Sequence, residues 1–158
     1  MQINIYTDGA CKGNPGPGGY GIILEYKNSR KELHGGYKLT TNNRMELLAV
    51  ILGLESLKTM QIPVHIYSDS KYVIDSITKG WVFNWSKKGF KGKKNKDLWL
   101  RYLTLHSKFQ LVFHWVKGHA GHPENERCDY LAVLAAEKGP WLSDTEFEKN
   151  QNENDLFD

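Results

Sequence analysis

The feature that most constrains the fold of this chain is a change in hydrophobic period near residue 40. Before that point, apolar and polar residues alternate in segment 2–8, and segments 20–26 and 31–38 are also typical of strands; turn-forming residues separate the three. Such alternation predicts half-buried strands, and short turns between them predict an antiparallel meander. Residues 43–58 instead place apolar side chains at helical spacing. The chain therefore begins with three paired strands and then changes its architecture.

Strands and helices alternate in the rest of the chain. A short apolar strand at 64–68 precedes a helix at 70–79, and a second helical segment at 97–106 precedes a strand at 110–116. A strong amphipathic helix at 124–138 follows. Parallel neighbouring strands need a crossover connection, and these helices supply it. The sequence predicts an α/β fold with a five-stranded mixed sheet, antiparallel meander plus parallel strands, and helices on both faces.

Charge is distributed unevenly along the 158 residues. Residues 141–158 contain six acids and one lysine, a net charge of −5, so residues 1–140 carry +8 of the whole-chain charge of +3. The tail is rich in Asn, Glu and Asp, a composition typical of disorder. We therefore predict one folded domain at 1–140 and a disordered acidic tail at 141–158. A cationic domain attracts polyanions such as nucleic acids.

Several classes of protein are disfavoured by the composition. The apolar runs are shorter than the ~18 residues that a membrane helix requires, and the chain opens on a strand pattern rather than a signal peptide. Cys11 and Cys128 are too few for a disulfide framework and lack close metal-binding spacing. We expect a cytoplasmic protein that does not associate with membranes.

Four acidic residues, Asp8, Glu46, Asp69 and Asp129, lie at predicted strand ends or helix starts. Each has a local explanation when it is considered alone. Asp8 precedes a glycine and fits a turn, and Glu46 has the spacing of a capping box. Asp69 fits a helix N-cap, and Asp129 interacts favourably with a helix dipole.

The predicted topology favours a joint role for the four acids. Asp8 and Asp69 end two strands that we expect to be adjacent and parallel, and the carboxyl ends of such strands meet on one side of a sheet. Glu46 and Asp129 need only lie on helices that pack over that edge. Close carboxylates repel each other, and a bound divalent cation removes this repulsion. The pattern therefore indicates a carboxylate site for hard cations and metal-assisted phosphoryl chemistry.

Four longer motifs carry a resemblance to a known family. These are TDGACKGNPGPGGYG (7–21), TTNNRMEL (40–47), YSDSKYV (67–73) and WVKGHAGHPENERCD (115–129). Together and in this order they resemble bacterial type 1 ribonuclease H, over nearly the whole chain to about residue 138. The predicted order of elements also agrees with the ribonuclease H fold.

The resemblance implies an endonuclease that hydrolyses the RNA strand of RNA–DNA hybrids and leaves 5′-phosphate and 3′-hydroxyl ends. It implies two Mg²⁺ ions, for which Mn²⁺ can substitute, and a monomeric protein. Asp8 is expected to bridge both ions, and Asp129 to help hold the ion that activates water. Glu46 and Asp69 are expected to help hold the ion at the leaving 3′-oxygen.

Further roles follow from the same resemblance. His119 is expected to shuttle protons or assist product release. Hybrid contacts are expected from a group of loop and helix-start residues and from a basic protrusion: Gly9, Cys11, Asn14, Thr41, Asn42, Asn43, Ser70, Trp81, Lys87, Lys88, Lys91 and Lys93. Trp99, Trp115 and Trp141 are assigned to packing, whereas Trp85 fits either a hybrid contact or the hydrophobic anchor of the protrusion. The protrusion is shorter than is usual in the family, and Glu25 stands where a basic residue often occurs.

Two other functions compete with this one. A nuclease of related fold that acts on DNA, such as a resolvase or integrase core, would share the carboxylates. The residues expected to recognise the 2′-hydroxyl argue against it, since that group distinguishes RNA from DNA. A catalytically inactive hybrid-binding module would have lost at least one of the four acids, and all four are present.

Overall fold

The strands form one mixed sheet. The computed structural model describes residues 1–118 and 121–157. Within that part the strands are β1 (Ile3–Cys11), β2 (Gly16–Tyr26), β3 (Ser29–Thr40), β4 (Val64–Ser68), β5 (Leu111–Trp115) and β6 (Trp141–Leu142). Their spatial order is β5-β4-β1-β2-β3-β6. The first three strands pair antiparallel, whereas β4, β5 and β6 join in parallel.

Helices cover both faces of the sheet. They are α1 (Asn42–Glu55), α2 (Lys71–Thr78), α3 (Trp81–Lys87), α4 (Lys96–His106), α5 (Pro123–Lys138) and α6 (Thr145–Phe157). Helix α1 packs on β1 and β2 and is flanked by α2 and α4, while α5 packs on β1, β2 and β3. In the described residues no helix combines the length and the apolar character that a membrane crossing needs.

The main core lies between the sheet and α1. Ile5 of β1 and Ile22 of β2 are fully buried there, as are Leu47 and Ile51 of α1. The stripe that predicted α1 from the sequence is thus the face that meets the strands. Trp99 of α4 is also fully buried, which agrees with its assignment to packing.

Helix α5 approaches β2 closely because glycines line the contact. A Cβ atom on Gly19 would lie 2.5 Å from the carbonyl oxygen of Ala132, and one on Gly21 would collide with the carbonyl oxygen of Cys128. Any side chain at these positions would push the helix outward. The close packing brings the first half of α5, including Asp129, toward the end of β1.

The predicted fold class is confirmed, and the predicted strand number is wrong by one. The extra strand is β6, which pairs with Gly36 and Tyr37 of β3. It belongs to the segment 141–158, for which the composition predicted disorder; residues 141–157 instead form β6 and α6. Composition did not reveal that the Trp141 indole donates a hydrogen bond to the Ala136 carbonyl (3.0 Å) or that Asp144 is buried against Arg44.

Candidate metal and nucleic-acid site

Parallel pairing of β1 and β4 brings two of the predicted acids together. Thr7 and Ser68 are paired across these strands, so the residues that follow them, Asp8 and Asp69, emerge side by side. This arrangement follows directly from the strand order that the sequence predicted. Asp8 lies inside β1 rather than in a turn.

Gly9 links the third acid to the same place. Its backbone N–H donates to Oε1 of Glu46 at 2.5 Å and also to Oδ1 of Asp8 at 2.9 Å. A Cβ atom at Gly9 would lie 2.5 Å from the backbone nitrogen of Glu46, so only glycine allows α1 to approach β1 this closely. Glu46 is therefore held over the end of β1, beside Asp8.

Asp8, Glu46 and Asp69 each present a carboxylate oxygen, and these oxygens all lie within 4.8 Å of one another. Asp129, in the second turn of α5, lines the same cleft, which has a volume of about 460 Å³. We call this the carboxylate cleft. The four predicted acids thus border one cavity, and three of them form its compact centre.

Burial makes this cluster of like charges costly. Asp8 and Glu46 are 4% and 3% exposed. Burial, with the charges of Asp69 and Asp129 adding to it, raises the pKa of Asp8 to about 7. Burial and the neighbouring Asp8 also raise the pKa of Glu46 well above its ordinary value.

One buried oxygen of this cluster is unsatisfied. Within the described residues, Oε2 of Glu46 accepts no hydrogen bond. A buried acceptor without a partner costs roughly 1–3 kcal/mol. Oxygen donors from several carboxylates are the ligands that Mg²⁺, Mn²⁺ and Ca²⁺ prefer. The donor set and the unsatisfied oxygen therefore fit a hard divalent cation.

The local explanations for two of the acids are wrong. Helix α1 is capped by Thr41, whose Oγ1 accepts from the backbone N–H of Arg44 at 3.2 Å, so Glu46 does not complete a capping box. Helix α2 is capped by Ser70, whose Oγ accepts from the N–H of Val73 at 3.2 Å. Asp69 is thus not the N-cap.

The predicted substrate contacts separate into two clefts and an exposed arm. The carboxylate cleft is lined by five of them, Gly9, Cys11, Asn42, Asn43 and Ser70. A second cleft is lined by Asn14, Thr41, Asn43 and Lys93. Exposed positions on α3 and in the turn after it hold the others, Trp81, Lys87, Lys88 and Lys91. The histidine predicted to move protons, His119, lies outside the described residues.

The sequence missed two residues beside Asp69. Lys71 lines the carboxylate cleft, and its ammonium lies 4.7 Å from the ring centroid of Trp115. Trp115, assigned to packing, is 47% exposed, and its indole N–H donates to the backbone carbonyl of Asp69 at 3.1 Å. The place of Lys71 directly after Asp69 and Ser70 was a signal that it lies near the cleft.

Arg44 is a third residue that the sequence did not single out. It is 3% exposed and donates to both carboxylate oxygens of Asp144, at 2.8 and 2.9 Å. It also donates to both oxygens of Asp97, at 2.9 and 2.7 Å. We call these three residues the Arg44 cluster. It ties the start of α1, and with it Asn42 and Asn43, to α4 and to the C-terminal segment.

Comparisons with known proteins agree with one another. The family model RNase H matches residues 1–137. A ribonuclease H of Trichodesmium erythraeum is 58% identical over 142 residues, which cover 87% of this chain and 90% of that protein.

Solved structures extend the likeness to three dimensions. The crystal structure of LC9-RNase H1, described as a type 1 RNase H with the type 2 active-site motif, has a TM-score of 0.77 and 34% identity. The match covers 85% of this chain and 72% of that one. LC11-RNase H1, crystallised in complex with RNA/DNA hybrid, has a TM-score of 0.66. At 24% identity, with 87% and 98% of the two chains covered, it shows likeness of fold.

Proposed function

The chain belongs to the ribonuclease H family, in which it is similar to type 1 members, and from this membership we propose that it hydrolyses the RNA strand of RNA–DNA hybrids. The observation that carries the proposal is the carboxylate cleft. Buried acids with an unsatisfied oxygen lie beside amide and hydroxyl side chains, on a domain of positive charge. Phosphodiester hydrolysis needs this combination of cation ligands and polyanion attraction.

Asp8, Glu46, Asp69 and Asp129 are the residues that would hold divalent cations, and we propose two Mg²⁺ ions. Bound there, such ions would act as Lewis acids and stabilise the charge that develops on the attacking and departing oxygens. The products would then carry 5′-phosphate and 3′-hydroxyl ends. Asp8 would help hold both ions, as the family resemblance implies, and its carboxylate lies within 4.8 Å of carboxylate oxygens of Glu46 and Asp69.

The protein's own contribution is to position these ligands before substrate arrives. The Gly9 N–H orients Glu46 and Asp8 together, and the Trp115 indole fixes the backbone at Asp69. A Cβ atom at Gly118 would lie 3.0 Å from Oδ2 of Asp69, so this glycine leaves room for that carboxylate. Rigid placement of ligands avoids a reorganisation cost during the reaction.

Selection of RNA would come from the polar lining of the carboxylate cleft. Asn42, Asn43 and Ser70 lie there and can exchange hydrogen bonds with a 2′-hydroxyl, which both donates and accepts. The exposed lysines on and after α3 would hold phosphates without regard to sequence. We also propose that His119 shuttles protons or assists product release, as the family resemblance implies.

A substrate panel tests the proposal. The purified protein is incubated with a 5′-labelled RNA–DNA hybrid, duplex DNA and single-stranded RNA, each with Mg²⁺ or EDTA. We expect cleavage of the RNA in the hybrid with Mg²⁺ and none with EDTA, and we expect the product ends to be 5′-phosphate and 3′-hydroxyl. Comparable cleavage of duplex DNA would favour a DNA nuclease of related fold. Tight binding of hybrid without cleavage under any metal would favour an inactive binding module.

A further inference from the structure

A second cleft lies beside the carboxylate cleft and has three walls. Its volume is about 920 Å³. One wall is the start of α1 with the adjoining loop, represented by Asn14 and Thr41, and another is the lysine segment 93–96. The third wall is helix α6, which contributes Glu146, Phe147, Asn150 and Gln151. We call this space the tail cleft, since the C-terminal helix forms one of its walls.

Helix α6 is fastened to the body next to the predicted hybrid contacts. Asp144, immediately before the helix, binds Arg44 with two hydrogen bonds and accepts a third from Thr40 Oγ1 at 2.7 Å. The ring of Phe147 lies 5.7 Å from the guanidinium carbon of Arg44. These contacts place the first turns of α6 at a fixed position over the start of α1.

The charges in the tail cleft have opposite signs. Lys93, Lys94 and Lys96 line it, and so does the carboxylate-bearing Glu146. All four residues are exposed, so they are available to an incoming polyanion. A phosphate that enters the cleft gains attraction from the lysines and repulsion from Glu146. The acid therefore reduces the phosphate affinity of a surface that would otherwise be strongly cationic.

We propose that α6 forms part of the nucleic-acid surface and that Glu146 weakens the binding of the hybrid's phosphate backbone by the lysines of the tail cleft. The inference rests on the proposed function, since it takes the hybrid as ligand. Asn43 lines both clefts, so a hybrid bound at the carboxylates lies next to the tail cleft. Weaker binding of the phosphates favours release of the cleaved product and lowers the salt dependence of hybrid binding.

Removal of the negative charge at one position, with a matched control, tests this directly. Glu146→Gln removes the carboxylate from the cleft, whereas Glu148→Gln makes the same change in net charge on the same helix at a residue outside the cleft lining. Binding to an RNA–DNA hybrid is measured by fluorescence anisotropy in EDTA, from ~50 to ~300 mM salt. We expect Glu146→Gln to tighten binding roughly 3–10-fold at low salt and to steepen the salt slope. Glu148→Gln should change the affinity less than about twofold.

The opposite change provides an independent test. Asn150→Asp places a new carboxylate in the cleft, and Asn152→Asp places one two residues further along the helix, outside the cleft lining. The first variant should weaken binding several-fold and flatten the salt slope, while the second should leave both near wild type. Thermal melts of all four variants verify that α6 remains docked.

The outcomes separate the two proposals. Equal effects of Glu146→Gln and Glu148→Gln, or of the two aspartate variants, would mean that only total charge matters and would overturn the assignment of the tail cleft. If the wild-type protein binds the hybrid but does not cleave it with Mg²⁺, that result would overturn the proposed function instead. In that case, a selective effect of Glu146→Gln on binding would still support the placement of the nucleic acid.

Discussion

Two buried charges on the same helix have opposite surroundings. Arg44 and Glu46 are two residues apart on α1, and each is 3% exposed. Arg44 meets two carboxylates from distant segments and donates four close hydrogen bonds to them. Glu46 meets Asp8 and Asp69, which carry charge of its own sign, and one of its oxygens is left without a hydrogen bond within the described residues.

This contrast distinguishes a charged side chain that supports the fold from one that is available to bind a ligand. The Arg44 cluster satisfies its charges internally, although burial of an ion pair is weak evidence for net stabilisation. In the carboxylate cleft, neighbouring carboxylates repel each other, and the protein alone does not relieve this repulsion. A buried charge that lacks an internal partner indicates where a cation or substrate completes the structure. Loss of Arg44 should therefore affect folding, and loss of an acid from the cleft should affect chemistry.

The largest expected effect is on turnover. Asp8→Asn should lower the rate of hybrid cleavage by roughly 10⁴-fold, about 5.5 kcal/mol of barrier, because the shared cation ligand is lost. Hybrid binding in EDTA should persist or tighten, since the substitution removes a negative charge. Single-turnover cleavage and anisotropy measure the two quantities. Asp75→Asn, which changes a carboxylate on α2 paired with Lys79, is the control and should cleave normally. Near-normal turnover by Asp8→Asn would refute the metal assignment.

Arg44→Ala should produce the largest loss of folding stability, about 3–5 kcal/mol, because it leaves Asp97 and Asp144 as unpaired carboxylates. Urea unfolding monitored by circular dichroism gives the free energy. Arg101→Ala is the matched control: Arg101 also binds a carboxylate, Glu55, through two hydrogen bonds, but that pair is exposed. An exposed pair contributes ~0–1 kcal/mol. Similar losses for both variants would show that burial of the Arg44 cluster has no energetic consequence.

The two regions should respond to pH in opposite directions. In EDTA, folded Asp8 keeps its proton up to about pH 7, whereas an unfolded Asp loses its proton near pH ~3.9. The contribution of Asp8 to the free energy of unfolding is therefore fully present at low pH and falls as pH rises between those two values. Asp8→Asn should remove this fall and add on the order of 2–4 kcal/mol near neutral pH.

At acidic pH, Asp97 should instead dominate the pH dependence of the free energy of unfolding. Although burial opposes it, hydrogen bonds and charge from Arg44 lower the pKa of Asp97. Its contribution is present above the pKa of unfolded Asp and is lost as pH falls through the lowered folded value. Urea unfolding across pH for wild type, Asp8→Asn and Asp97→Asn separates the two effects. If the free energy of unfolding of Asp8→Asn fell toward neutral pH as steeply as that of the wild type, the burial argument for the carboxylate cleft would be contradicted.

The smallest expected effect is stabilisation by metal. Mg²⁺ should raise the free energy of unfolding of the wild-type protein by about 1–3 kcal/mol at concentrations well above its dissociation constant. Asp8→Asn should show little of this gain, and Asp75→Asn should keep it, since Asp75 does not line the carboxylate cleft. Thermal melts with and without Mg²⁺ measure the shift. A gain that survives in Asp8→Asn would place the cation elsewhere.

Sequence patterns anticipated much of the site because topology rules act over long distances. Asp8 and Asp69 each follow a strand, and parallel pairing was expected to bring such positions together; the register of β1 and β4 does so. Glu46 followed from its place at a helix start near that edge. The sequence did not identify the N-caps, which are Thr41 and Ser70. Asp69 suits a cap as well as Ser70 does, and local spacing cannot choose between them.

The amino-acid sequence by itself determined the α/β class, the order of strands and helices apart from α3, β6 and α6, and which acids are candidates for the site, because hydrophobic period and motif spacing are local properties. Only the tertiary structure decided that residues 141–157 dock, that Arg44 binds Asp97 and Asp144, and that Trp115 supports Asp69. The prediction of disorder for residues 141–158 rested on their average polarity. A few specific contacts hold this segment against the domain despite that polarity. Arg44 and Asp144 are 100 positions apart and Asp69 and Trp115 are 46 apart, and no local pattern predicts which distant partner will complete a charge or a hydrogen bond.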